Sequence, residues 1–119
     1  MNELIEGRIL AVDDEEAWRG IFGRNLAAAG IEHEVVDDPD IAMGRLEADE
    51  FTGVITDGLE GRWVDVYSAA NIAQTAIVVI SGNFHTIDDA KRLGVEAYNK
   101  NDFDLQMFQE IVRSLVLPS

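Results

Sequence analysis

Residues 76–81 read Ala-Ile-Val-Val-Ile-Ser, the most apolar run of strand length in the chain. Its apolar residues are continuous rather than alternating, the pattern of a strand covered by helices on both faces, and this places the run inside a parallel sheet. The same grammar appears upstream. Arg8-Ile9-Leu10-Ala11-Val12 reads as a buried strand that stops at Asp13-Asp14, and residues 16–29 follow as an amphipathic helix through Trp18, Ile21, Phe22, Leu26 and Ala29, closed by Gly30. Residues 34–37 read as a second strand, 39–48 as a helix with proline in its first turn, and 53–57 as a third strand.

Downstream of the opening run the spacing predicts a helix around 86–93, a last strand over 97–100 and a final helix over 103–117. That helix places Phe108, Ile111, Val112, Leu115 and Val116 on one face. Five strands alternating with five helices imply an α/β, doubly wound (βα)5 architecture of the flavodoxin type. Its five parallel strands carry helices on both faces, because parallel neighbours need crossover connections. The expected domain is single and spans 1–119, with no linker or low-complexity tract.

Composition narrows the function classes. Nine Lys and Arg stand against 23 Asp and Glu, a formal net charge of −14, which opposes direct binding to nucleic acid or to anionic lipid. There is no cysteine, so disulfides, thiolate catalysis and cysteine-ligated metals are excluded, and a cytoplasmic location is expected. The N-terminal MNELIEGRILAVDDEE lacks the form of a signal peptide, and no run approaches the roughly 18 apolar residues of a membrane helix.

In a doubly wound sheet the site lies beyond the carboxyl ends of the strands. The residues there are Asp13 and Asp14 after the first strand, Asp57 after the third, Ser81 after the fourth and Lys100 after the fifth. Any one of them could simply solvate a strand end. Together they are more specific: three carboxylates at one rim call for a cation, and hard oxygen donors in an incomplete shell suit Mg2+. A lysine and a hydroxyl on neighbouring strands add donors for an anion. These are the parts for phosphoryl transfer to a carboxylate, with Asp57 in GVITDGLEG (53–61) as the acceptor.

The ordered motifs ILAVDDEE, VITDG, IVVISG and AYNK resemble the receiver domain of two-component response regulators over essentially the whole chain. The resemblance implies that Asp13 and Asp14 are the acidic pair for Mg2+, with Asp14 the direct ligand. It further implies that Asp57 is phosphoacceptor and ligand, and that the backbone carbonyl of Leu59 completes the protein's share of the coordination. Ser81 would be the switch hydroxyl, Lys100 its ammonium partner and Tyr98 the switch aromatic. The implied partners are a sensor histidine kinase or phosphotransfer protein as donor and a downstream protein reading the face of the fourth helix, fifth strand and fifth helix. A homodimer is a further partner consistent with such a module. The chain would be a phosphoacceptor signalling domain rather than an enzyme.

Departures from the family pattern are visible. GLEGRWVDVYSAA has no proline after Asp57 and is short, which predicts a stunted or rebuilt third helix, and the fourth loop and helix also look short. In AYNKND the lysine stands two residues after Tyr98 where the family has three, so either Lys100 or Asn101 fills the family's lysine place. Leu59 and Asn83 are expected to flank the approach to Asp57. Leu59 would offer an attacking water no hydrogen bond, implying slow hydrolysis of a phosphoaspartate. Gly82 leaves room beside the hydroxyl. Trp63 is assigned either an exposed partner contact or packing on the third helix. His33 and His85 are isolated, giving little support to a zinc site or phosphohistidine relay. The rival reading is a pseudo-receiver, an interaction module independent of phosphorylation; a capped aspartyl-phosphate hydrolase would need a longer chain.

Overall fold

A computed structural model describes residues 7–116. The strands are β1 (Arg8–Val12), β2 (Glu32–Val36), β3 (Gly53–Thr56), β4 (Ala76–Ser81) and β5 (Glu96–Asn99). The helices are α1 (Glu16–Ala28), α2 (Pro39–Ala48), α3 (Trp63–Ile72), α4 (Phe84–Arg92) and α5 (Leu105–Val116). All neighbouring strands are parallel and their order is β2-β1-β3-β4-β5. The apolar run at 76–81 is therefore an interior strand, paired on both sides.

Strand alternation divides the core into two layers. Ile9, Ala11, Ile55, Val78 and Ile80 face one side and pack with Phe22 and Leu26 of α1 and with Phe108, Ile111 and Leu115 of α5. Leu10, Val12, Val54 and Val79 face the other and meet Ala42 and Leu46 of α2, Val66 and Ala70 of α3, and Ile87 and Ala90 of α4. The approach of α5 depends on Gly53, because a Cβ there would lie 2.6 Å from the Cβ of Leu115.

Several boundaries differ from the sequence expectation, each for a local reason. β2 begins at Glu32, two residues early. As an edge strand paired only with β1 it need not be apolar, and its Glu34 is held by Arg8 and Arg45. α4 begins at Phe84 because the Asn83 side chain caps it, accepting from the N–H groups of His85 and Thr86. α5 begins at Leu105, with Asp104 accepting from Met107 N–H. Its expected end at Leu117, like the domain limits at 1 and 119, lies outside the described residues.

The third helix is not stunted. α3 has ten residues, as many as α2, and what is rebuilt is the turn before it. Leu59, Glu60 and Gly61 form a short 3-10 turn with φ of 52°, 54° and 94°, three successive left-handed residues of which only the last is glycine. Two consequences bear on the sequence reading. The Leu59 side chain is buried with Leu10, Val12 and Val66, so the residue borders the cleft around Asp57 while its side chain packs into the core. Trp63 is also buried, packed with Val79, Ile87 and Ala97.

Candidate functional site

The site is assembled where four strands end. Asp13 follows β1 and extends its ladder, donating its N–H to Val36 O at 3.1 Å; Asp57 follows β3 and donates to Val12 O at 2.8 Å. These two backbone bonds fix the carboxylates side by side. Carboxylate oxygens of Asp13, Asp14 and Asp57 lie within 4.8 Å of one another. Asp13 is fully buried and Asp14 exposed.

Lys100 leaves the end of β5 rather than lying within it. The Asn99 side chain accepts from Asn101 N–H and starts a tight turn over Lys100–Asp102, which aims the lysine back across the sheet. Its Nζ stands 2.9 Å from Asp13 Oδ2, 3.0 Å from Asp57 Oδ1 and 2.8 Å from Glu15 Oε2. The ammonium also sits 4.9 Å from the centroid of the Trp18 ring, a cation–π contact. Of the two candidates for this place, Lys100 reaches the carboxylates, while Asn101 lines the outer cleft.

Ser81 closes the site from β4. It is buried, and its Oγ accepts from Asn83 N–H at 3.0 Å, leaving the hydroxyl proton free to donate. Gly58 leaves the opening between Ser81 and α4: a Cβ there would come within 3.0 Å of Thr86 Oγ1 and 3.2 Å of Ser81 Oγ. Gly82 and Asn83 line the same cleft.

The charge balance follows from burial. Desolvation pushes the Asp13 carboxyl up to about 6, helped by the Asp57 charge and opposed by hydrogen bonds from the Glu15 N–H and from Lys100. Asp14 is raised by the same two causes, burial first. For Lys100 burial acts to lower the pKa, but bonds to Glu15, Asp13 and Asp57 outweigh it, so the ammonium is held charged. Asp13 Oδ2 is buried, and its one partner is the Lys100 ammonium at 2.9 Å, so it has lone-pair capacity to spare.

That under-bonded oxygen beside two further carboxylates fits a hard divalent cation such as Mg2+. The expected contribution of Leu59 fits less well. Its carbonyl accepts from Arg62 N–H at 3.0 Å, and its own N–H lies 3.4 Å from Asp57 Oδ2.

The remaining expected residues lie apart. Tyr98 packs its ring against the α1/α5 layer and donates its hydroxyl to Glu96 Oε2 at 3.2 Å, on the exposed side. His85 is exposed and edge-on to Phe84; His33 Nδ1 lies 2.7 Å from Ile31 O. Glu15 and Thr86 were not foreseen. The third acid in the DDEE run was the available signal for Glu15, since one lysine facing so many carboxylates invites another partner.

No protein-family model matches the sequence, and no curated protein matches it. Solved structures do. A response regulator from Thermotoga maritima, in complex with Mg2+ and BeF, superposes with a TM-score of 0.76 at 22% identity over 92% of this chain and 99% of that one. A CheY-like receiver domain protein from Methanospirillum hungatei gives 0.77 at 19% identity over 91% of each chain. A Burkholderia pseudomallei response regulator with a phosphorylated aspartic acid and a calcium ion gives 0.73 at 20% identity, over 92% of this chain and 66% of that one. The chain has the receiver-domain fold. Within that receiver fold the acidic cluster, Ser81 and Lys100 converge at the carboxyl edge of the sheet, where open α/β sheets place their sites. Among the described residues no helix is long and apolar enough to cross a membrane.

Proposed function

We propose that the protein is a response regulator receiver that accepts a phosphoryl group on Asp57. The observation that carries this reading is the Lys100 ammonium, 3.0 Å from Asp57 Oδ1 and 2.9 Å from Asp13 Oδ2, beside a carboxylate cluster with an under-bonded oxygen. In the reaction an Asp57 oxygen attacks the phosphorus of a phosphohistidine or a small acyl phosphate. The bond from phosphorus to the leaving atom breaks, that group departs with the electron pair, and a mixed anhydride is left on Asp57. When bound, Mg2+ supplies charge neutralisation for the equatorial oxygens.

The chain's own residues do the rest. Asp13, Asp14 and Asp57 would hold the ion, Lys100 would take one phosphoryl oxygen and the Ser81 hydroxyl another. Because Ser81 Oγ is bonded to Asn83 N–H, a shift of Ser81 toward the phosphoryl group would pull on the start of α4. Tyr98 lies next to Ile80 across the β4–β5 ladder, so its hydroxyl bond to Glu96 is available to break in the same shift. A sensor histidine kinase or phosphotransfer protein would be the donor, and a downstream protein would read the face formed by α4, β5 and α5.

Intact-mass measurement after incubation with acetyl phosphate and Mg2+ tests this directly. A gain of one phosphoryl group is expected, dependent on Mg2+ and absent from Asp57→Asn. Unmodified protein under conditions where Mg2+ binds would reject the reading. The engagement of the Leu59 carbonyl by Arg62 favours one rival, a pseudo-receiver that binds its partner without phosphorylation; Mg2+ binding too weak to measure is its signature.

A further inference from the structure

An ammonium has three N–H donors, and those of Lys100 face three carboxylates: Asp13, Asp57 and Glu15. If a phosphoryl group is built on Asp57, an oxygen of that group can reach Lys100 only when one of these partners gives way. Asp13 is completely buried, so no water can take the lysine's place beside it. Asp57 is the acceptor itself. Glu15 is different: its side chain is 61% exposed and can exchange the lysine for water at little cost.

Its position supports the same distinction. Glu15 occupies the N-cap of α1, where Ser, Thr, Asp or Asn would serve the free N–H groups, yet its side chain caps nothing. The carboxylate turns instead across the cleft, and Lys100 is the only group it bonds among the described residues.

We infer that Glu15 is a built-in stand-in for a phosphoryl oxygen. It is a positioning residue that holds Lys100 in the unmodified protein and is displaced when Asp57 is phosphorylated. The inference rests on the assignment of Asp57 as phosphoacceptor. Glu15 keeps the lysine fully paired and the cleft ordered, and it opposes incoming donors in proportion to their negative charge. The transfer itself is unchanged: the Asp57 oxygen forms its bond to phosphorus while acetate departs from acetyl phosphate, or ammonia from phosphoramidate, whose nitrogen is already protonated.

The test compares wild type, Glu15→Gln and Glu15→Asp at saturating Mg2+ and neutral pH, following phosphorylation by intact mass. Acetyl phosphate serves as a dianionic donor and phosphoramidate as a less charged one. Glu15→Gln is expected to react about two- to fivefold faster with acetyl phosphate, the size of one partly exposed ion pair, and to gain less with phosphoramidate. Glu15→Asp, which keeps the charge, should stay close to wild type with both donors. A Glu15→Gln rate equal to or below wild type, or the same gain with both donors, overturns the inference while leaving Asp57 as acceptor. Unchanged circular dichroism and urea midpoint for Glu15→Gln separate a slower rate from misfolding. No phosphoryl gain in any chain removes the acceptor assignment and this inference with it.

Discussion

Lys100 Nζ bridges to Asp57 Oδ1 at 3.0 Å although the two residues are 43 positions apart and follow strands that do not touch, β3 and β5 being separated by β4. The reach comes from the turn at Lys100–Asp102 and the length of the lysine stem. Lys100→Ala leaves Asp13 buried without its cation, and the cost in metal-free protein at pH 7 is expected to be about 3 kcal/mol. Urea unfolding measures it. Mg2+ should restore part of the loss, because a divalent ion supplies the missing counter-charge.

The Asp13 carboxyl gives the metal-free protein a pH dependence of definite sign. Its folded pKa, about 6, lies above the ordinary 3.8, so the folded state binds this proton more tightly than the unfolded chain. Its contribution is fully present below about pH 4 and is lost as pH rises through 6, on the order of 3 kcal/mol in all. Asp14 acts in the same direction. Glu34, Asp40 and Asp49, lowered by their arginine partners, destabilise only below their ordinary carboxylate range. Metal-free protein should therefore gain stability on acidification from pH 7 to 5, and Asp13→Asn should flatten that slope. A wild-type midpoint that falls over the same interval would contradict the assignment.

The rebuilt turn separates two neighbouring residues by their effect. Glu60 pays for its left-handed φ with no buried contact, so Glu60→Gly is expected to stabilise by about 1 kcal/mol. Leu59→Asn should destabilise by about 3 kcal/mol, since it removes a buried apolar side chain and inserts an amide. Thermal unfolding of the pair decides whether Leu59 acts as a core residue.

Gly58 has an ordinary helical φ of −65°, so a side chain there meets a packing obstacle and no backbone one. Gly58→Val would press on Thr86 and the Ser81 hydroxyl, costing about 1–3 kcal/mol in stability. Mg2+-dependent phosphorylation should fall at least tenfold, a step of roughly 1.4 kcal/mol in the barrier. A variant that keeps its rate would show that the cleft beside Ser81 is not used.

The sheet was legible because its strands are short apolar runs ending in polar residues, and period-2 alternation assigns each side chain to a layer. Asp13, Asp57, Ser81 and Lys100 were found by asking what stands at strand ends, a question that topology answers without distances. The burial of the Leu59 side chain, and of Trp63 where packing and an exposed contact both stood open, has one shared reason. A left-handed turn reverses which way successive side chains point, and with non-glycine residues at two of its three positions nothing in LEG announces it. Glu15 was missed because its role depends on a partner 85 residues away.

The sheet also stands between the two tryptophans. Trp18 belongs to the α1/α5 side, edge-on to Phe103 at 5.3 Å and under the Lys100 ammonium; Trp63 is sealed on the α3/α4 side against Tyr67. The chain thus carries its two tryptophan fluorophores in separate compartments. Replacing either one with phenylalanine leaves emission from a single known layer, so a two-colour question, whether both sides of the sheet melt together, can be asked with no added dye.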